Sequence, residues 1–161
     1  SHVTNWNKNT SVKFRTDVCS SCKLGFDIDL KSLSEDDYKF VQQAVKNYNS
    51  MKPVILEGDQ YRLVSPYEGS HCAVNYVSKD KQRAVLFAYD LHPRYKEPQM
   101  NVKLQGLNPT KLYTVKETNL MPGKTSELEC DGKQYSGDYL MKVGLSVFSA
   151  QDGTSHVLTL E

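Results

Sequence analysis

Long apolar runs are missing from this 161-residue sequence. Nothing approaches the roughly 20 residues a membrane span needs, so no membrane partner is expected. Charge of one sign is missing too. Lys plus Arg number 20 against 19 Asp plus Glu, a formal net charge of +1. That balance gives no field to gather nucleic acid or an anionic bilayer. Cysteine is scarce, with Cys19, Cys22, Cys72 and Cys130 only, which excludes a disulfide-built scaffold. Cys19-Ser20-Ser21-Cys22 has CxxC spacing, but no second CxxC accompanies it, and His2, His71, His92 and His156 do not pair at ligand spacing. A zinc site is therefore disfavoured, as is a thioredoxin-like role, because no strand leads into the CxxC. The plain reading is two thiols on a helical turn. Phosphate-cradling Gly-rich loops are also absent, and no cofactor is expected.

The first residues, Ser1-His2-Val3-Thr4, offer no initiator Met, basic stretch or apolar stretch. The chain is expected to continue upstream, and its cellular location stays open.

What is present changes character near residue 55. Residues 11–22 suit a helix with Val12, Phe14, Val18 and Cys22 partly buried. Leu24–Leu30 alternates apolar with small or polar residues and reads as a strand. Ser34 is a good N-cap, and Glu35, Asp36 and Asp37 suit the first turn of a helix. Tyr38, Val41, Ala44, Val45 and Tyr48 form a stripe at helical spacing, and Pro53 marks a stop, so the helix is expected over about 35–51. Short β-rich runs follow at Gln60–Ser65, Cys72–Val77, Ala84–Tyr89, Val102–Leu104, Tyr113–Lys116 and His156–Leu160, separated by turn signals such as Asp131-Gly132 and Asp152-Gly153. The pattern predicts a mainly β chain: an antiparallel β-sandwich over 54–161, preceded by an α/β segment over 1–53. A strand with a helix on each side cannot bury both of its faces alone, so the leading segment reads as the end of a larger sheet or barrel.

Three stretches carry a resemblance: Gly58-Asp59-Gln60-Tyr61-Arg62-Leu63-Val64-Ser65-Pro66, then Lys103-Leu104-Gln105-Gly106-Leu107-Asn108-Pro109 leading to Tyr113-Thr114-Val115, then Tyr135 to Leu145. In this order they resemble the C-terminal domain of bacterial α-galactosidases of glycoside hydrolase family 36. Ser1-His2-Val3 and Lys23-Leu24-Gly25-Phe26 resemble the last part of that family's catalytic barrel. The resemblance implies a parent enzyme with a (β/α)8 barrel that hydrolyses terminal α-linked galactose with retention. Retention uses two carboxylates about 5–5.5 Å apart, and the resemblance puts both upstream of Ser1. No catalytic, cofactor-binding or metal-binding residue is therefore assigned to this chain. The sequence departs from the family pattern at Asn5-Trp6-Asn7-Lys8-Asn9, where relatives carry a proline-containing loop.

Asp27 and Asp29 share a face near the end of the expected strand, as a catalytic pair or, more plainly, as capping carboxylates. Trp6, Tyr61, Tyr67, Tyr89, Tyr95 and Tyr113 are the rings available for stacking on sugars, against ordinary packing. The loop Leu91-His92-Pro93-Arg94-Tyr95-Lys96 mixes an aromatic with polar groups as a sugar site does, and Tyr67-Glu68-Gly69-Ser70-His71 reads as a structured turn. Ser65 precedes Pro66 and lies on no G-x-S-x-G elbow. Phe14, Val18, Phe26 and Ile28 are expected to need a covering surface, either the sandwich or a second copy. Three roles follow: a structural domain packed on the parent's barrel, a carbohydrate-binding module, or an oligomerisation domain.

Overall fold

Ser11 and Ser34 start the two longest helices in the same way. The computed structural model describes residues 10–94, 97, 100–149 and 151–161, and it has α1 at Val12–Ser20 and α2 at Glu35–Glu57. Each serine hydroxyl accepts a backbone N–H three residues on, from Phe14 at 3.1 Å and from Asp37 at 3.1 Å. Each cap thus satisfies a donor that the first turn leaves without a partner. Glu35, Asp36 and Asp37 occupy the first turn of α2, where the helix dipole favours negative charge.

The end of α2 departs from expectation. The helix does not stop before Pro53 but runs through it to Glu57. An interior proline costs a helix about 3 kcal/mol or more; burial on the opposite face offsets this. Pro53 faces solvent, whereas Met51, Val54 and Ile55 are buried with Tyr48 against Tyr76, Val85, Phe87 and Val157. Each such side chain contributes about 1.5–3 kcal/mol. The buried stripe is also rotated from the predicted one. Phe40, Val41, Ala44 and Tyr48 face inward, while Tyr38 and Val45 are exposed. Gly58 closes α2, because a Cβ there would collide with the carbonyl oxygens of Val54 and Val77.

No strand forms at Leu24–Leu30. The chain there is irregular, with a bridge residue at Asp27 and a 3-10 turn at Leu30–Ser32. A strand needs a neighbour to take up its backbone donors and acceptors, and among the described residues six strands form and pair with one another. They are β1 (Asp59–Val64), β2 (His71–Val77), β3 (Ala84–Asp90), β4 (Leu112–Thr118), β5 (Gln134–Ser136) and β6 (Thr154–Leu160). All pairings are antiparallel, in the order β1-β2-β3-β6-β4-β5.

The central strand β3 is buried along its whole length. Ala84, Leu86 and Ala88 enter one core, while Val85, Phe87 and Tyr89 enter the other, as a period of two requires. Helices α1 and α2 cover the second face, where Phe14 meets Tyr89 edge-on at 5.8 Å. The first face is covered by the chain between β3 and β6, through Val102, Leu104, Leu107, Leu140, Leu145, Val147 and Phe148. This layer contains α3 (Gly137–Lys142) and the bridge Val102–Leu145, which stands where a strand was expected at 102–104. The mainly β, antiparallel class read from the sequence is the one observed.

Candidate functional site

The most concentrated chemistry lies under α1. Its fully buried residues are polar: Thr16, Asp17 and Ser20 are 0% exposed. The Asp17 carboxylate accepts Lys13 Nζ at 2.6 Å and Ser155 Oγ at 2.7 Å on Oδ2, and Asn119 Nδ2 at 2.8 Å on Oδ1. Lys13 Nζ also donates to the Ser155 carbonyl at 2.7 Å. Asn119, in turn, accepts from Asn47 of α2 at 2.8 Å, and the Asp17 carbonyl accepts the Tyr89 hydroxyl at 3.1 Å. One carboxylate therefore ties α1 to β6, to the segment after β4 and, through Asn119, to α2. Burial pushes the Asp17 carboxyl above its ordinary range, against the opposing pull of Lys13 and its hydrogen bonds.

Two further carboxylates do similar work nearby. Glu117 Oε1 lies 2.6 Å from His156 Nδ1, and Glu117 Oε2 accepts from Ser126. Burial acts to raise Glu117, but the bonds from His156 and Ser126 outweigh it and hold the carboxyl below the usual glutamate range. Asp90, at the end of β3, accepts the Ser149 N–H at 2.9 Å, the Ser149 hydroxyl at 3.0 Å and the Thr154 hydroxyl at 2.9 Å. Its other oxygen lies 2.8 Å from His71 Nδ1, and the His71 ring stacks on Phe148 at 4.3 Å. A cleft of about 330 Å³ opens beside the first two nodes, lined in part by Lys13, Glu117 and His156. In chemical terms these carboxylates are anchors. Each is buried and engaged by several donors, and each fixes irregular chain to the central strands.

The sequence-predicted candidates fall elsewhere. Asp27 and Asp29 are exposed, and Asp29 caps the 3-10 turn by accepting the Lys31 N–H at 3.0 Å. Ser65 and the run from Tyr67 to Ser70 form the β1–β2 turn, with the Tyr67 N–H donating to Ser65 Oγ at 3.3 Å, and His71 opens β2. Tyr89 and Tyr113 are core residues, and the Tyr113 hydroxyl donates to the Lys81 carbonyl at 2.6 Å. Tyr61 packs against the same core as Tyr113. Tyr67 stands free at 97% exposed, at the rim of a cleft of about 870 Å³ between α1 and β1–β2 that Phe14, Val18 and Arg62 also line. Trp6, Tyr95, Lys96 and His2 lie outside the described residues, and His92 forms a surface pair with Asp152 at 3.3 Å. Among the described residues no group of three or more His, Cys, Asp or Glu could hold a metal ion. The Asp17 hub was missed because its partners are remote in sequence; its one local signal was the Lys13–Asp17 spacing of four.

A Pediococcus pentosaceus protein described as alpha-galactosidase 1 is 32% identical over 85% of this chain and 17% of its own length. A probable alpha-galactosidase C of Aspergillus oryzae is 33% identical over 93% of this chain and 18% of its own length. The crystal structure of the family 36 alpha-galactosidase AgaB from Geobacillus stearothermophilus matches all of this chain and 21% of that one, with a TM-score of 0.83 at 26% identity. AgaA from the same organism matches 94% of this chain and 19% of its own, with a TM-score of 0.80 at 26% identity. The chain thus spans about a fifth of the relatives it matches, which come from bacteria and fungi. Residues 71–160 match the family profile described as the glycosyl hydrolase family 36 C-terminal domain, and the chain belongs to that family.

Proposed function

We propose that this chain is the non-catalytic C-terminal part of an α-galactosidase that releases terminal α-linked galactose with retention, and that it supports the parent's catalytic barrel. Residues 1–53 would be the last α/β part of that barrel and residues 54–161 the C-terminal β domain, with α2 shared between them. The observation that carries this reading is the divided character of the leading segment. Helices α1 and α2 are fixed to the sheet by the Asp17 hub and by Tyr48, Met51, Val54 and Ile55. By contrast, Leu30, Tyr38, Val45 and Leu56 remain exposed, apolar side chains suited to a covering partner. The proposed partner is the rest of the barrel, and galactoside is met through it. The family membership and the alpha-galactosidase relatives support the same role. The test is hydrolysis of a chromogenic α-galactoside: the chain alone is expected to give the buffer rate, and turnover by the pure chain would overturn the reading.

One observation favours a second role, sugar binding by the β domain. Tyr67 offers a free ring beside Glu68 and the cleft that Gln60 and Arg62 line, the mixture of apolar face and hydrogen-bonding groups that sugars use. Calorimetry with galactose and raffinose tests it: saturable heat that vanishes in Tyr67→Ala supports binding, and heats equal to buffer count against it.

A further inference from the structure

Cys19 and Cys22 flank the turn that ends α1. The Cys22 N–H donates to the Cys19 carbonyl at 3.2 Å, and Ser21 between them has φ −69° and ψ −3°. A hydrogen-bonded four-residue turn keeps its outer Cα atoms within about 7 Å, and disulfides need about 4.4–6.8 Å. The turn is held from outside. The Tyr76 hydroxyl donates to the Ser21 carbonyl at 2.5 Å, and the Tyr48 hydroxyl to the Cys22 carbonyl at 2.8 Å. All four cysteines are free; Cys22 is exposed and Cys19 half-buried. The other two thiols are poor competitors, since burial raises Cys72 and pushes Cys130 up to about 11, and the thiolate is the reactive form.

We propose that Cys19 and Cys22 form a reversible intramolecular disulfide at the end of α1 by exchange with a low-molecular-weight disulfide. The more exposed Cys22, as thiolate, attacks one sulfur of the small disulfide, and one small thiolate leaves. The Cys19 thiolate then attacks the Cys22 sulfur of the mixed disulfide, and the second small thiolate leaves. In balance, two protein thiols lose two protons and two electrons, and the small disulfide becomes two thiols. A loop this tight gains little from chain entropy, and an exposed bond of this kind is of the labile rather than the structural class. Because the same turn carries the acceptors for Tyr48 and Tyr76, oxidation fixes the point where α1 meets α2 and β2.

The test incubates the native protein with oxidised glutathione, quenches with acid, alkylates in denaturant and digests with trypsin. Cleavage after Arg15 and Lys23 places both cysteines in one peptide, Thr16–Lys23. The expected product is that peptide two hydrogens lighter and unalkylated, restored to the doubly alkylated form by prior reduced glutathione, with Cys72 and Cys130 alkylated throughout. Cys19→Ser and Cys22→Ser are each expected to stop at a single glutathione adduct. A peptide that stays doubly alkylated, that carries glutathione on both cysteines, or that is cross-linked to Cys72 or Cys130 would overturn the proposal.

Discussion

Replacing Asp17 by Ala tests the hub that joins α1 to the β domain. The substitution removes the acceptor for Lys13, Ser155 and Asn119 at once. Asn119 and Ser155 are 2% and 4% exposed, so their donors have little access to water. Removing one partner of a buried pair costs about 3–5 kcal/mol. Lys13 keeps its bond to the Ser155 carbonyl, and its side chain is 18% exposed, which places the cost near the lower end, about 3 kcal/mol. For a chain of this size each kcal/mol moves Tm by roughly 2–4 °C, so a fall of about 6–12 °C is expected by calorimetry. The companion variant Lys13→Met/Asp17→Leu replaces the ion pair by apolar groups and should recover at least about 1 kcal/mol of the loss. A loss below about 1 kcal/mol for Asp17→Ala, or additive costs in the cycle with Lys13→Met, would refute the hub as the pin between the two layers.

Glu117 carries a pH signature. Its carboxyl is held below the ordinary glutamate value of 4.5 by His156 and Ser126 in spite of burial, so its contribution is present above that value and is lost as pH falls through the folded one. Glu117→Gln should therefore flatten the fall of Tm with acid below about pH 4.5; an unchanged acid limb would contradict this assignment. Gly144 has φ +81°, and a Cβ there would collide with the Val102 carbonyl oxygen, which accepts the Leu145 N–H at 3.0 Å. Gly144→Ala should cost at least about 2 kcal/mol, more than the left-handed backbone penalty of roughly 1–2 kcal/mol alone, as read by urea unfolding.

The parts of the fold legible in the sequence are those set by local rules. The Ser34 cap and its acidic first turn begin α2 as read, and the run Ala84–Tyr89 is a strand buried on both faces. Where remote contacts decide, sequence rules fall short. Pro53 fails to end α2 because Val54 and Ile55 reach Tyr76 and Val157, which no local window contains. Leu24–Leu30 alternates like a strand, yet the strands of this chain pair elsewhere. Val12, Phe14, Val18 and Cys22 read as the partly buried residues of α1, yet Val18 and Cys22 are exposed and Thr16, Asp17 and Ser20 are buried, because Ser155 and Asn119 are brought to Asp17. For the same reason the hub carried no recognisable motif, while the exposed carboxylates Asp27 and Asp29 drew notice simply by their spacing.

The role proposed here is tested most directly by complementation. The rest of the parent, expressed without this chain and so with a barrel that lacks its proposed last α/β part, is assayed on a chromogenic α-galactoside alone and again after adding the separately purified chain. Support of the barrel predicts little activity from the barrel alone and recovery of at least tenfold on addition, saturating as the chain is titrated. A barrel that works at full rate by itself and is indifferent to the chain would contradict it.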